Sequence, residues 1–319
     1  MRILLAFFIL IGVANTALGQ SWPSRPLRLV IPFAPGGGAD IAGRVIGQEL
    51  SDVLKQPVVI ENRAGAGGTI APNNVAKSTP DGYSLVLGHL GGIAIAPHLY
   101  KDLPFDPVND LSPVTLTVNG LSVLVVNPDL PVKTVGELMA YAKANPNQLS
   151  FSSAGSGTDT HLAGELFKSM TGTSMVHVPY KGGAPAMVDL LAGRVQLAFA
   201  SVATTISAIQ TGKLRAIAMT GKNRFEGLPG VPTISESGVP GYEINNWYGI
   251  FVPANTPQDI IQRLNTETIK ILQKPDVRAK LIAAGLEPIW STPAEFSDYV
   301  RAETAKWRKI VVDSGATAN

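Results

Sequence analysis

The segment LRLVIPFAPGGGAD at residues 27–40 gives the clearest prediction of the fold. Its first seven residues predict a buried strand, because they are mostly apolar and end just before turn-forming residues. Three consecutive glycines then predict a tight loop, and residues 41–54 carry apolar side chains at helical spacing. The order of strand, glycine loop and helix predicts one βα unit of an α/β domain.

The same order recurs along the chain, which extends the α/β prediction to the whole sequence. Strands are predicted at residues 27–33, 57–61, 84–88, 149–153, 175–178, 195–200, 214–219, 245–252 and 286–290. Thr134, Thr256 and Thr292 each precede an acidic residue by three positions, so each is predicted to cap a helix. The pattern favours mostly parallel sheets with helices on their faces.

Two long apolar segments, residues 113–126 and 244–252, are predicted to cross between two α/β units. No flexible linker separates the units, so the chain is expected to pass between them as extended strands. The first lobe is expected to comprise residues 21–115 plus 250–319, and the second lobe residues 120–244. Two lobes joined by such strands leave a cleft between them, which is a preferred place for a small ligand.

The first 19 residues predict a cleaved secretory signal. Arg2 is followed by the apolar run 3–14, and small residues precede a cleavage position near Gly19 and Gln20. The alternative is a membrane anchor, but the run is shorter than the roughly 20 apolar residues that span a bilayer. We therefore expect an exported, periplasmic protein, and the absence of cysteine suits an oxidising compartment.

Composition excludes several classes of protein. Charged residues are 16% of the 319, and hydrophobic residues are 45%, which argues against disorder. A net charge of +2 is far below the basic footprint of a nucleic-acid-binding protein. A disulfide scaffold or a zinc–thiolate site would need cysteine, and the chain has none.

Three glycine-rich loops, residues 35–40, 64–69 and 155–158, each follow a strand and precede a helix. Such loops lie at the carboxyl ends of parallel strands, where backbone N–H groups and helix N-termini can hold an anion. The alternative is that the glycines only make tight turns. Nucleotide motifs fit poorly, because Arg44 stands where a P-loop has lysine, and Ile70 and Thr160 replace the third glycine of a dinucleotide fingerprint.

No arrangement of residues points to catalysis, a metal or a cofactor. His89, His98, His161 and His177 form no zinc-binding spacing, and Ser156 does not lie in a nucleophile elbow. Some roles remain open at this point. His161 and Asp40 either face the cleft or serve as caps and buried partners, Lys181 is a ligand contact or a surface lysine, and Trp247 and Tyr248 are core residues or a wall of the site.

Several segments are similar to the extracytoplasmic solute-binding receptors of tripartite tricarboxylate transporters, the Bug receptors. The similarity runs through nearly the whole chain after residue 21. The matching segments are WP at 22–23, RPLRL at 25–29, VIPFAPGG at 30–37, VIENRAGAGG at 59–68, PDGY at 80–83, LPFDP at 103–107, GT at 157–158, HLAGELF at 161–167, HVPYKG at 177–182, LPGVPT at 228–233 and WYG at 247–249.

The resemblance implies a type II periplasmic-binding-protein fold of the Venus-flytrap kind. It also implies that a small carboxylate is captured in the interlobe cleft and presented to a membrane permease by a monomeric protein without catalytic activity. The alternative is a receptor that docks on a sensor kinase. The ligand-binding residues expected from the loops and the resemblance are Phe33, Ala34, Pro35, Gly36, Gly37, Gly38, Asp40, Ala66, Gly67, Gly88, His89, Ser156, Thr158, His161, Ala200 and Ser201.

The sequence departs from the family at three positions that are expected to touch the ligand. The run after the second glycine is Gly38, Ala39 and Asp40, where relatives often have small hydroxyl residues before the acid. His89 replaces a small hydroxyl residue, and Ala200 stands where many relatives have an acid. Because that acid would pair with a ligand ammonium, its absence predicts a carboxylate without an amine.

Overall fold

Residues 27–40 fold as predicted in the computed structural model, which describes residues 22–244 and 246–314. Strand β1 (Leu27–Ile31) leads through the glycines into helix α1 (Gly38–Leu54). The loop is shorter than expected, because the helix already begins at the third glycine. The predicted signal segment, its cleavage position and Asn245 lie outside the described residues.

The remaining elements follow in the predicted alternation. The other strands are β2 (Val58–Asn62), β3 (Ser84–His89), β4 (Leu111–Gly120), β5 (Ser122–Val126), β6 (Ser150–Ser153), β7 (Val176–Pro179), β8 (Leu197–Ser201), β9 (Arg215–Met219), β10 (Asn246–Pro253) and β11 (Leu286–Pro288). The other helices are α2 (Ile70–Ala76), α3 (Ala96–Leu99), α4 (Val135–Ala144), α5 (Asp159–Thr171), α6 (Gly183–Leu191), α7 (Val202–Gln210), α8 (Gln258–Gln273), α9 (Pro275–Ala283) and α10 (Pro293–Ser314). None of these helices is long and apolar enough to cross a membrane.

The strands form two sheets with the orders β11-β4-β10-β3-β1-β2 and β7-β6-β8-β5-β9. Pairing is parallel only around β1 and β6, and the other described pairs are antiparallel. The expectation of mostly parallel sheets is therefore wrong. The reason is that β4, β5 and β10 belong to the segments that cross between the sheets, and they enter each sheet against the direction of its βα units.

Two neighbouring segments connect the sheets. Strand β4 of the first sheet ends at Gly120, and β5 of the second sheet begins only two residues later. The return passes through Ile244, whose N–H donates to the carbonyl oxygen of Thr220, and enters β10 at Asn246. Since Asn246 lies opposite Gly120 in the β4–β10 pair, both crossings lie side by side.

The crossing strand β10 is buried along its whole length. Its Trp247 and Phe251 rings pack against Phe296 of α10, with ring centroids 5.6 and 4.8 Å away. Gly249 lies beneath the same ring, and a Cβ atom there would overlap Phe296 and approach the Thr115 carbonyl oxygen to 3.0 Å. Strand β10 therefore tolerates no side chain at Gly249 without repacking of α10.

Two of the three predicted threonine caps are confirmed. Thr292 and Glu295 form a reciprocal capping box, with each side chain accepting the backbone N–H of the other residue at 3.2 and 2.8 Å. Thr134 accepts the N–H of Glu137 at 3.1 Å. The prediction for Thr256 is wrong, because its hydroxyl donates to the carbonyl oxygen of a residue three positions earlier and α8 begins two residues after it.

The first glycine loop is fixed by the buried carboxylate of Asp40. That carboxylate accepts hydrogen bonds from the Gly36 N–H, the Arg44 guanidinium and the Asn62 amide, each at 2.9 Å. Burial alone would raise the pKa of Asp40, but the hydrogen bonds from Arg44, Gly36 and Asn62 outweigh it and lower the pKa. The ionised side chain therefore ties the loop to α1 and to the end of β2.

Replacing Gly249 by alanine is expected to lower the free energy of unfolding by about 1–3 kcal/mol, because the added methyl group overlaps Phe296. Urea unfolding measures the change. Gly230→Ala is the control, since a Cβ atom at Gly230 meets nothing within 4 Å. Equal losses in the two variants would contradict this account of β10.

Asp40→Asn is expected to destabilise the protein by about 1–3 kcal/mol at neutral pH, because it removes charge-assisted hydrogen bonds from a buried group. The folded-state pKa of Asp40 is lowered, so its stabilisation is present above the ordinary value of 3.8 and is lost as the pH falls through the folded value. Urea unfolding measured across this pH range should show that the difference in unfolding free energy between wild type and variant decreases below pH 3.8. A difference in unfolding free energy that does not change with pH would contradict this role of the ionised Asp40. Asp298→Asn is the control, because Asp298 forms an exposed ion pair with Arg301.

Candidate ligand-binding site

A cavity of about 40 Å³ lies between the two lobes. One lobe contributes the segment between β1 and α1 together with Tyr248 of β10. The other contributes the ends of β6 and β8 and the starts of α5, α6 and α7. The wall comprises Phe33, Gly37, Gly38, Ala39, Ser152, Ser153, Ala154, Asp159, Thr160, Gly183, Ala186, Met187, Leu190, Ala198, Phe199, Ala200, Ser201, Thr204 and Tyr248.

Helices α1, α5, α6 and α7 all begin at this wall. The first N–H groups of a helix have no partner within the helix, and the helix dipole adds partial positive charge there. The residues before α1 and α6 are Gly37 and Gly182, so no side chain caps either helix. The wall thus presents uncapped backbone donors from both lobes.

No positively charged side chain accompanies these donors. None of the described residues that form the wall is lysine, arginine or histidine. The rest of the wall is largely apolar, with Phe33, Met187 and Leu190 among its members. A negatively charged group in this cavity would therefore be stabilised by backbone dipoles in surroundings of low polarity.

Two serine hydroxyls on the wall lack a partner. Ser152 at β6 is 1% exposed, and Ser201 at the end of β8 is partly buried. Within the described part of the chain neither hydroxyl oxygen has a hydrogen-bond partner, although both are buried. Because a buried polar atom without a partner is unfavourable, both hydroxyls are available to a ligand.

Asp159 is the acid on this wall, and the sequence analysis missed it. It is the first residue of α5, and its carboxyl accepts hydrogen bonds from its own N–H, the Thr160 N–H and the Ser122 hydroxyl. Burial raises the pKa of Asp159 to about 6 in spite of these bonds. The signal that could have found it is its position directly after the third glycine loop, which was predicted to face the ligand.

A second cavity of about 420 Å³ adjoins the first, and Phe33 and Ala154 line both. Its wall includes Ala66 and Gly67 of the second glycine loop, Ser156 of the third, and Tyr180 and Lys181 after β7. Residues of the second and third glycine loops therefore line a cavity beside the first one.

The glycine loops of the two lobes touch across the cleft. The Ala34 N–H donates to the carbonyl oxygen of Lys181 at 3.4 Å. A Cβ atom on Gly67 would overlap the Ser156 carbonyl oxygen, and one on Gly38 would lie 3.0 Å from the Ser201 hydroxyl. These contacts place the lobes in a closed arrangement around the cavity.

The predicted ligand-binding residues divide into two groups. Eight of them line the cavities, namely Phe33, Gly37, Gly38, Ala200 and Ser201 in the first and Ala66, Gly67 and Ser156, together with Phe33 again, in the second. The other eight line neither cavity, namely Ala34, Pro35, Gly36, Asp40, Gly88, His89, Thr158 and His161.

His89 supports the second glycine loop from behind. The N–H groups of Gly91 and Gly92 each lie 3.1 Å from a ring nitrogen of His89, which accepts a hydrogen bond through the one nitrogen that carries no hydrogen. A Cβ atom on Gly68 would overlap the ring. Burial lowers the pKa of His89 to about 3, so the ring is neutral. Gly88, the preceding residue, packs against the ring of Phe251.

Thr158 and His161 hold the third glycine loop. The Thr158 hydroxyl donates to the Gly155 carbonyl oxygen at 2.7 Å and caps α5. His161 accepts the Gly157 N–H at 3.1 Å and stacks on His177 with ring centroids 3.9 Å apart. Burial lowers the pKa of both histidines, that of His177 to about 3. Of the two roles left open for His161, the structure favours the buried partner.

The other residues whose roles the sequence left open also divide into residues that line a cavity and residues that do not. Tyr248 lines the first cavity and Lys181 the second, whereas Trp247 is buried in the core. Asp40 is a brace within lobe 1, as described above. Among residues 22–244 and 246–314, no group of histidine and acidic side chains is arranged to hold a metal ion.

A family model described as "Tripartite tricarboxylate transporter family receptor" matches residues 42–316. Similar structures have been solved. The R. palustris protein Rpa4515 with adipate is 37% identical, covers 93% of this chain and 99% of its own, and superposes with a TM-score of 0.90. The periplasmic binding protein BugD is 34% identical, covers 93% and 99%, and has a TM-score of 0.89.

The third structure is MatC from Rhodopseudomonas palustris with bound malate. It is 32% identical, covers 91% of this chain and 100% of its own, and has a TM-score of 0.87. These matches confirm the resemblance and the two-lobed fold that the sequence predicted. The chain belongs to the tripartite tricarboxylate transporter receptor family, whose members are periplasmic solute-binding proteins.

Proposed function

We propose that the protein captures a small organic carboxylate in the interlobe cavity and delivers it to the membrane permease of a tripartite transporter. The observation that carries this proposal is the meeting of four helix N-termini at a cavity whose described wall holds no cationic side chain. Such a wall favours a ligand with a localised negative charge.

The chemistry of the donors favours a carboxylate. Hydrogen bonds from N–H groups to an ionised acceptor are shorter and stronger than those between neutral groups. Two uncapped helix starts lie on opposite lobes, at Gly38 and Gly183, so an anion between them would hold the lobes together. The neighbouring structures with adipate and malate support a carboxylate in particular.

The closing motion follows from the way the sheets are connected. We propose lobes of residues 21–115 plus 250–319 and of residues 120–244, as the sequence predicts. The division of the strands between two sheets supports these limits, and the paired crossings at Gly120 and Asn246 would act as the hinge. A ligand at the cavity contacts both lobes and therefore favours the closed arrangement.

Cellular placement and the absence of catalysis belong to the same proposal. The signal-like segment at residues 1–19 and the periplasmic family members support export with cleavage near Gly19 and Gln20. We propose a monomer that releases its ligand chemically unchanged, since a receptor needs no nucleophile or base.

A thermal-shift screen with monocarboxylates, dicarboxylates and tricarboxylates tests the binding function. A ligand at a hundredfold excess over its Kd stabilises the folded state by about 2.7 kcal/mol, so at least one carboxylate should raise the Tm by several degrees. Sulfate and choline at equal concentration are the controls for a different anion and a cation. Stabilisation by choline but by no carboxylate, or recovery of a chemically altered carboxylate, would contradict the proposal.

Gly38→Val is expected to weaken carboxylate binding by about tenfold or more, because its side chain would meet the Ser201 hydroxyl across the cleft. Calorimetry measures the Kd, and the melting temperature without ligand checks that the fold is intact. Gly230→Val is the matched control, since that position is open. Unchanged affinity in Gly38→Val would place the ligand elsewhere.

A further inference from the structure

Asp159 gives the cavity a second chemical preference besides its preference for an anion. We propose that Asp159 selects carboxylates that also carry a hydrogen-bond donor, a hydroxyl or an ammonium, and disfavours those that bring a second ionised carboxylate to the same place. This inference rests on the proposed function and specifies the class of ligand.

The carboxyl of Asp159 occupies one of the helix N-termini at the cavity. It accepts the N–H groups of Asp159 and Thr160, so the N-terminus of α5 is already occupied by a carboxylate of the chain itself. Helices α1 and α6 also begin at the cavity and have no side-chain cap, whereas the first N–H of α7, at Val202, donates to the Leu121 carbonyl oxygen. A ligand carboxylate is therefore expected at the starts of α1 and α6, which leaves the rest of the ligand to reach Asp159.

The carboxyl of Asp159 is buried without a compensating cation. Its hydrogen-bond donors are two backbone N–H groups and the Ser122 hydroxyl, all of them neutral. Asp159 is 4% exposed, and burial raises its pKa to about 6. An ionised buried carboxylate is stabilised by any donor that a ligand brings, whereas a second carboxylate adds repulsion between like charges.

Tyr248, on the other lobe, lies on the same cavity wall as Asp159. Burial, together with the nearby charge of Asp159, raises the pKa of Tyr248, so its hydroxyl stays protonated. The Asn246 amide donates to the Tyr248 hydroxyl oxygen at 3.1 Å, which leaves the hydroxyl hydrogen to be donated. The cavity wall thus combines the acidic acceptor of Asp159 with the neutral hydroxyl of Tyr248, and none of its described residues carries an ammonium or guanidinium group.

Asp159 also changes the expectation drawn from Ala200. The sequence analysis predicted a ligand without an amine, because position 200 lacks the acid that could pair with it. The structure places an acid on the same wall, at the start of α5. The reason for excluding an ammonium therefore no longer holds.

The experiment compares four-carbon and six-carbon acids that differ only in their second group. Butyrate and hexanoate carry none, succinate and adipate carry a carboxylate, and the remaining probes carry a hydroxyl or an ammonium, either beside the carboxylate or at the far end. Binding is measured by calorimetry at about pH 8, where a carboxyl group with a pKa of about 6 is ionised. At one chain length, the wild type should bind a donor-bearing acid at least about tenfold more tightly than the matching dicarboxylate.

The variant Asp159→Asn has the same shape, no charge and an amide that can donate to a carboxylate. It should weaken binding of the preferred donor-bearing acid and tighten binding of the matching dicarboxylate, each by about tenfold. Asp189→Asn is the control, because it removes one negative charge from α6 outside the cavity wall, where Asp189 pairs with Tyr180 and Arg194. The control should leave the ranking unchanged.

The outcomes separate the two proposals. A wild-type preference for succinate or adipate, or a ranking that Asp159→Asn does not change, would overturn the role of Asp159 while leaving carboxylate capture intact. Failure of every acid to bind would overturn the proposed function and this inference together. If Asp159→Asn does not fold, the wild-type ranking alone still decides between a donor-bearing ligand and a dicarboxylate.

Discussion

The N-termini of several helices, with their partial positive charge, meet at one cavity between the lobes, and much of the surrounding structure holds them there. Unpaired N–H groups at a helix start need partners, and a buried helix start without them is unfavourable. Here the starts of α1, α6 and α7 reach one cavity from opposite lobes, and glycines stand before α1 and α6 in place of side-chain caps. In the proposed function, the anionic ligand supplies the missing partners. The low content of charged residues in the chain agrees with a site built from backbone rather than from lysine and arginine.

Much of the surrounding structure keeps these helix starts in place. Asp40 braces the first glycine loop, His89 fills the space behind the second, and Thr158 with His161 holds the third. None of these side chains is on the cavity wall, although each looked like a ligand contact in the sequence. Polar residues beside these loops serve here to fix the backbone, and in the proposed function the backbone binds the ligand.

More of the fold than of the site could be predicted from the sequence. Strand, glycine loop and helix follow from local periodicity, so β1 and α1 were found with nearly correct bounds. The direction of the crossing strands could not be predicted, because the antiparallel pairing of β10 depends on the return of the chain from the other lobe. Asp159 was missed for a related reason. At the start of α5 an acid is typical of an ordinary helix-dipole partner, and only its burial on the same cavity wall as Tyr248 makes it a candidate ligand contact.

The most direct test of the account is a crystal structure of the protein with its bound carboxylate. The account predicts that the carboxylate oxygens accept hydrogen bonds from backbone N–H groups at the starts of α1 and α6, near Gly38 and Gly183, with no lysine or arginine side chain in contact with them. A carboxylate held by a guanidinium or ammonium group, or one bound outside the interlobe cavity, would contradict it.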